Sequence, residues 1–210
     1  MRSLNLCDLK GKHEMKITID GKDFEVSAEK ASEVREMLGI THRKLADVAV
    51  GDTYFIGDME FIKFPDANGG SVAVMKNSVF DSEFNDTRGN NFAKSTLFKR
   101  LKKEILPKVK EIVGAENVLE FETDLLTLDG LDIYGTMRSK ISLPTIDFYR
   151  NNRRVFEKYV LGNWWWLVTA NSEDTWATCV SPLGYISNYS FNVGFAVRPF
   201  FIFDSNILVS

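Results

Sequence analysis

Residues 163 to 169, NWWWLVT, set three consecutive tryptophans beside leucine and valine, and few folds can house such a segment. In an extended strand alternate residues face opposite sides, so Trp164, Trp166 and Val168 share one face while Trp165, Leu167 and Thr169 share the other. Both faces are apolar, which is the pattern of a central strand covered on both sides rather than of a half-exposed ligand platform. Each ring can bury roughly 150–250 Å², so the strand is expected at the energetic centre of its domain, with Trp164, Trp165 and Trp166 as structural residues. Trp176, set in the polar run NSEDTWAT, is the better candidate for an exposed aromatic.

A chain of 210 residues, 44% apolar and 26% charged, can build one sizeable domain and a small appendage around that strand without a metal or disulfide staple. Residues 1 to 14 are polar without a period and are expected to be a tail. In MKITIDGKDFEV the Asp20-Gly21 pair sits between alternating apolar residues, the short-range signal for a hairpin. SAEKASEVREMLGI then predicts a helix capped at Ser27 and stopped at Gly39. Residues 15 to 47 are thus expected to be a hairpin-helix unit and linker, and 48 to 210 the main domain. In that domain TYFIGDMEFIKF and SVAVMK predict an antiparallel meander. STLFKRLKKEILPKVKEIVG predicts a helix capped by Ser95, interrupted at Pro107 and ended by Gly114. The fold class is α+β, with a mainly antiparallel main domain.

The chemistry-bearing residues are sparse. A formal net charge of -3 gives no global field toward nucleic acid, and the lysines of residues 95 to 114 are interleaved with Glu104 and Glu111, a solvated helix face rather than a nucleic-acid site. Cys7 and Cys179 are too few for a disulfide framework, and no apolar run approaches the roughly 20 residues of a membrane span. These features point to the cytoplasm, with a virion as the alternative location. Both histidines, His13 and His42, precede the main domain, which leaves that domain without a Ser-His-Asp triad or a histidine metal cluster. DSEFNDTRGN, residues 81 to 90, imitates a calcium loop but lacks its sixth-position glycine and twelfth-position acid, so a polar turn is expected. No catalytic residue, metal or cofactor is assigned.

Two polar stretches remain as candidates for recognition. SNYSFN, residues 187 to 192, supplies Ser187, Asn188, Tyr189 and Asn192, the adaptable hydrogen-bonding and aromatic composition of a binding loop. NSEDTW, with Asn171, Asp174 and Trp176, would face the same side if the strands between them form a hairpin pair. Arg198 stands among aromatic and apolar residues, where a guanidinium must be hydrogen-bonded or stacked. A structural clamp is the expectation for it, ahead of a ligand contact.

From about Val50 to its end the chain resembles a phage- and prophage-associated domain of unknown function found in Gram-positive bacteria and their viruses. The matching pieces are VGDTYFIGDMEFIKF, STLFKRL, SKISLPTIDFY, WWLVT and AVRPFFIF, in that order. Val168-Thr169 stands where the family usually has Arg-Ser, and Ala196 where it has Gly, so the family's arginine has no counterpart here. The tryptophan strand, turn, polar run and closing V-R strand are also similar, at the level of fold, to the C-type-lectin-like domains of formylglycine-generating enzymes and of the hypervariable proteins of diversity-generating retroelements. In the retroelement proteins this late region carries the recognition surface. The cysteine pair of formylglycine-generating enzymes and the E-P-N or Q-P-D calcium ligands of sugar-binding lectins are absent from this sequence.

The resemblance and the two polar stretches together imply a non-enzymatic phage or prophage recognition protein. It would bind a protein partner through residues 171 to 176 and 187 to 192, one version being an inhibitor of a host defence system. A tail or capsid component and an enzyme of unknown reaction are the alternatives. The hairpin-helix unit is a candidate for docking or self-association, which leaves a homo-oligomer open.

Overall fold

The computed structural model describes residues 5–8, 14–19, 22–27 and 42–210. It divides into two compact units, Met1–His42 with Ser210 and Arg43–Val209. The first holds a three-stranded antiparallel sheet of β1 (Asn5–Asp8), β2 (Glu14–Ile19) and β3 (Lys22–Ser27) in the order β1-β2-β3. Ile17 pairs with Phe24 and Ile19 with Lys22, the register that a two-residue Asp20-Gly21 turn imposes. β1 lies inside the stretch expected to be a tail. The helix expected after Ser27 falls outside the described residues.

The second unit is α+β and begins within the expected linker. β4 (Arg43–Lys44) pairs with β16 (Leu208–Val209), Leu45 is fully buried, and its N-H donates to Ile207 O at 2.9 Å. Leu45 and Val48 both join the core, and their burial draws this segment in. β5 (Thr53–Ile56), β6 (Met59–Lys63) and β7 (Ser71–Met75) form the expected meander, and β15 (Phe200–Phe203) adds to β7, giving the order β15-β7-β6-β5. The turn before β7 must close against β15, and a Cβ on Gly70 would sit 2.5 Å from Phe203 O.

A five-stranded sheet lies beside it in the order β13-β12-β11-β14-β8. Its strands are β8 (Asp81–Ser82), β11 (Trp165–Ala170), β12 (Trp176–Val180), β13 (Ile186–Ser190) and β14 (Phe195–Ala196). β11 is central and buried along its whole length. Trp166 and Val168 join one apolar cluster with Phe84, Phe92 and Leu97, whereas Trp165 and Leu167 join a second with Phe64, Tyr149 and Phe156. The strict alternation of the strand thus feeds two cores at once. Trp166 also donates its indole N-H to Ser82 O at 2.9 Å, so its one polar atom is satisfied.

After β8 come α1 (Thr96–Arg100) and α2 (Leu106–Val113), whose buried Leu97, Leu106 and Val109 join the apolar cluster of Trp166. Ser95 caps α1, its hydroxyl accepting from Phe98 N at 3.0 Å, and Gly114 ends α2 at φ 88°. The expected interruption at Pro107 takes the form of a widened π turn, Leu101–Ile105. Proline has no N-H for the carbonyl four residues back and its ring crowds that carbonyl, so the preceding turn opens rather than breaks. A small two-stranded sheet, β9 (Phe121–Asp124) with β10 (Thr136–Ser139), and the short helices α3 (Ile146–Asn151) and α4 (Arg153–Phe156) complete the unit.

Candidate recognition surface

The stretch expected to be a polar turn opens as β8 and buries Phe84, and the connection after it ends on Asn90, which is fully buried. Its side-chain amide donates to three main-chain carbonyls, Asn171 O at 2.8 Å, Glu173 O at 2.9 Å and Trp176 O at 2.7 Å. Its own oxygen accepts from Tyr134 OH at 2.6 Å. A buried amide so surrounded has both its nitrogen and its oxygen engaged, and it fixes the connection between β11 and β12 by the backbone. Burial, and then the charge of Asp174, raise the Tyr134 phenol above its ordinary range, keeping it a neutral donor.

Further ties hold the same loop from outside. Asn171 accepts from Glu173 N at 2.9 Å through its side-chain oxygen, an Asx turn. Arg88 grips Asp174 with two parallel bonds, Nε to Oδ2 and Nη2 to Oδ1, each 2.9 Å. That hydrogen-bonded guanidinium holds the carboxyl of Asp174 below its ordinary value. Ser172 donates to Asp129, and Leu128 N donates to Ala170 O at 2.8 Å. Three segments far apart in sequence, 85–91, 125–135 and 171–176, are thereby knitted into one corner. On it Trp176, Leu131 and Ile133 are 41%, 50% and 54% exposed.

SNYSFN is not the loop expected from its composition. Its first four residues lie in β13, the edge strand of the sheet, and the run pairs with β12 in the register Trp176↔Ser190 and Thr178↔Asn188. An edge strand packs one flank only, so polar residues between aromatics are no bar to it. Asn188 shares the face of Trp176 and accepts from Thr178 Oγ1 at 3.2 Å. Ser187 and Tyr189 take the other face, where the Tyr189 ring meets Phe195 at 5.1 Å and Trp164 at 5.7 Å. Asn192 is exposed and accepts from Ser190 Oγ at 2.6 Å. The expected single surface therefore divides, with Asn171, Asp174, Trp176 and Asn188 on the side of the braced corner and Ser187 and Tyr189 facing away.

Arg198 lies apart from that corner, 1% exposed. Its guanidinium sits 5.1 Å from the Trp165 ring centre and 5.3 Å from that of Phe156, and its Nε donates to Met75 O at 3.0 Å. Nη2 has no hydrogen-bond partner among the described residues, and burial pulls the guanidinium down to about 9. Cys179 is buried with its thiol pushed up to about 12 by desolvation, which suppresses the reactive thiolate.

Sequence reasoning missed Asn90, Arg88 and Tyr134, and also a cleft of about 290 Å³ between β9, the first turn of α3 and β15. Among the described residues no helix is long and apolar enough to cross a membrane. No family model, no curated protein and no solved structure matches the chain.

Proposed function

We propose that this chain is a non-enzymatic recognition protein that holds a protein partner on the corner carrying Asn171, Asp174 and Trp176, flanked by Asn188, Leu131 and Ile133. One observation carries the reading: the loop that presents Trp176 is locked from below by the buried amide of Asn90. A surface fixed before binding pays little ordering entropy on association. An exposed tryptophan on such a base has the makings of an interface anchor, since tryptophan adds large contact area with few rotatable bonds. The proposal includes a C-type-lectin-like main domain and a phage or prophage origin, both supported by the tryptophan strand and the AVRP closing motif, and inhibition of a host defence system as the specific role.

The test is capture from host lysate with tagged wild type, Trp176→Ala and Ile133→Ser. The reading expects one protein held by the wild type and released by both variants while their thermal unfolding stays unchanged. A partner held equally by all three places recognition elsewhere on the chain and removes this surface from consideration. Plaque counts on defended and undefended hosts decide the specific role, which requires an advantage confined to the defended host.

A further inference from the structure

The cleft beside β9 shares Leu126 and Thr127 with the segment that braces the corner but includes none of Asn171, Asp174 and Trp176. Its floor is a trio of phenylalanines, with Phe200 5.1 Å from Phe121 and 5.0 Å from Phe148 between ring centres. Glu122, Asp124 and Asp147 also line it, all exposed, and no lysine or arginine does. Among the described residues the only side chain bonded to Asp147 is Arg150, at a long 3.5 Å. On the neighbouring strand Arg138 stands opposite Glu122 and 3.9 Å from Glu120, whereas Asp124 stands opposite Thr136 and has no ion-pair partner among the described residues. Thr123, 6% exposed, lines the cleft and makes no hydrogen bond with its hydroxyl among the described residues.

These features select a ligand by charge and by size. Carboxylates at the mouth of a cleft with low-dielectric walls focus a negative potential into it. The faces of aromatic rings add to it, because their quadrupole attracts cations. An anion is repelled by both, and a neutral group gains only the apolar contact. At about 290 Å³ the space lies at the lower end for small-molecule sites and suits a group of side-chain dimensions. We infer that this cleft binds an organic cation, an ammonium or guanidinium on a short apolar stem, with the stem on Phe121, Phe148 and Phe200, the charge toward Asp147 and Asp124, and a hydrogen bond to Thr123. The cation is either a free amine or the side chain of a lysine or arginine in a polypeptide.

Titration calorimetry and protein NMR with n-butylguanidinium and n-butylammonium, beside the neutral n-butylurea and the anion butyrate, test the assignment. The cations should bind about tenfold more tightly than the urea, the worth of one desolvated cation-aromatic contact, with shifts centred on Thr123 and Phe148. Asp124→Asn with Asp147→Asn should remove that preference while leaving the fold unchanged by circular dichroism. Equal binding of urea and cation, binding of none, or a preference that survives the double variant would each overturn the inference. A blocked Gly-Arg-Gly peptide separates the sources: tighter binding than n-butylguanidinium assigns the cleft to a polypeptide side chain, and weaker binding assigns it to a free amine. Neither arm uses Trp176, so the outcome is independent of the recognition corner.

Discussion

The centre of the main unit and its braced corner are held together by opposite means. Around β11 the stabilisation is apolar on both faces, spread over many rings that tolerate small adjustments. At the corner it converges on polar groups, with one amide serving three carbonyls. Apolar packing sets how much free energy the unit has, whereas a satisfied buried polar group sets which single conformation a loop adopts. The two should fail differently when damaged.

Trp166→Ala tests the centre and carries the largest expected effect. Emptying a fully buried indole site should cost about 3–5 kcal/mol in chemical denaturation, with amide exchange accelerated throughout the unit. Asn90→Ala should cost less, about 1–3 kcal/mol for acceptors left without a donor, and its accelerated exchange should concentrate in residues 171 to 176. Exchange rising evenly across the sheet in that variant would mean that the corner has no separate hold on its own shape. The third test is alkaline titration in a Cys7→Ser background. Cys179 has a folded pKa of about 12 against an ordinary 9.0, so between those values the unfolded state binds fewer protons. Stability is therefore intact below about pH 9 and falls from there toward about pH 12. The thiol should resist alkylation until the chain unfolds. The smallest effect belongs to Asp174→Asn, which breaks an exposed ion pair with Arg88. The unfolding midpoint should barely move, because solvent screens such pairs, and a large drop would show that the outer ties share the work of Asn90.

The sequence made the centre legible because alternation alone determines it. Three adjacent tryptophans between leucine and valine admit few environments, and a two-sided core follows from period two. The same logic found Ser95 and Gly114 as helix ends, where the cue lies within one turn of its effect. Asn90 could not be found this way. The three acceptors of its amide lie some eighty positions away and are carbonyls, which every residue type carries. β13 was misread because its serine, asparagine and tyrosine composition suits a loop and an edge strand equally, and only the pairing with β12 decides between them. The cleft draws its walls from β9, α3 and β15, separated by long stretches of chain, so no local pattern in the sequence announces it.

The braces on the corner grip Asn171, Glu173 and Trp176 by their backbone oxygens. The outline of this loop is consequently indifferent to the identity of several of its side chains. Substitutions at Glu173 and Thr175 would redecorate a fixed frame rather than build a new one. Under the proposed function, single replacements would re-aim such a surface at a changed partner, as long as the amide beneath it stays in place.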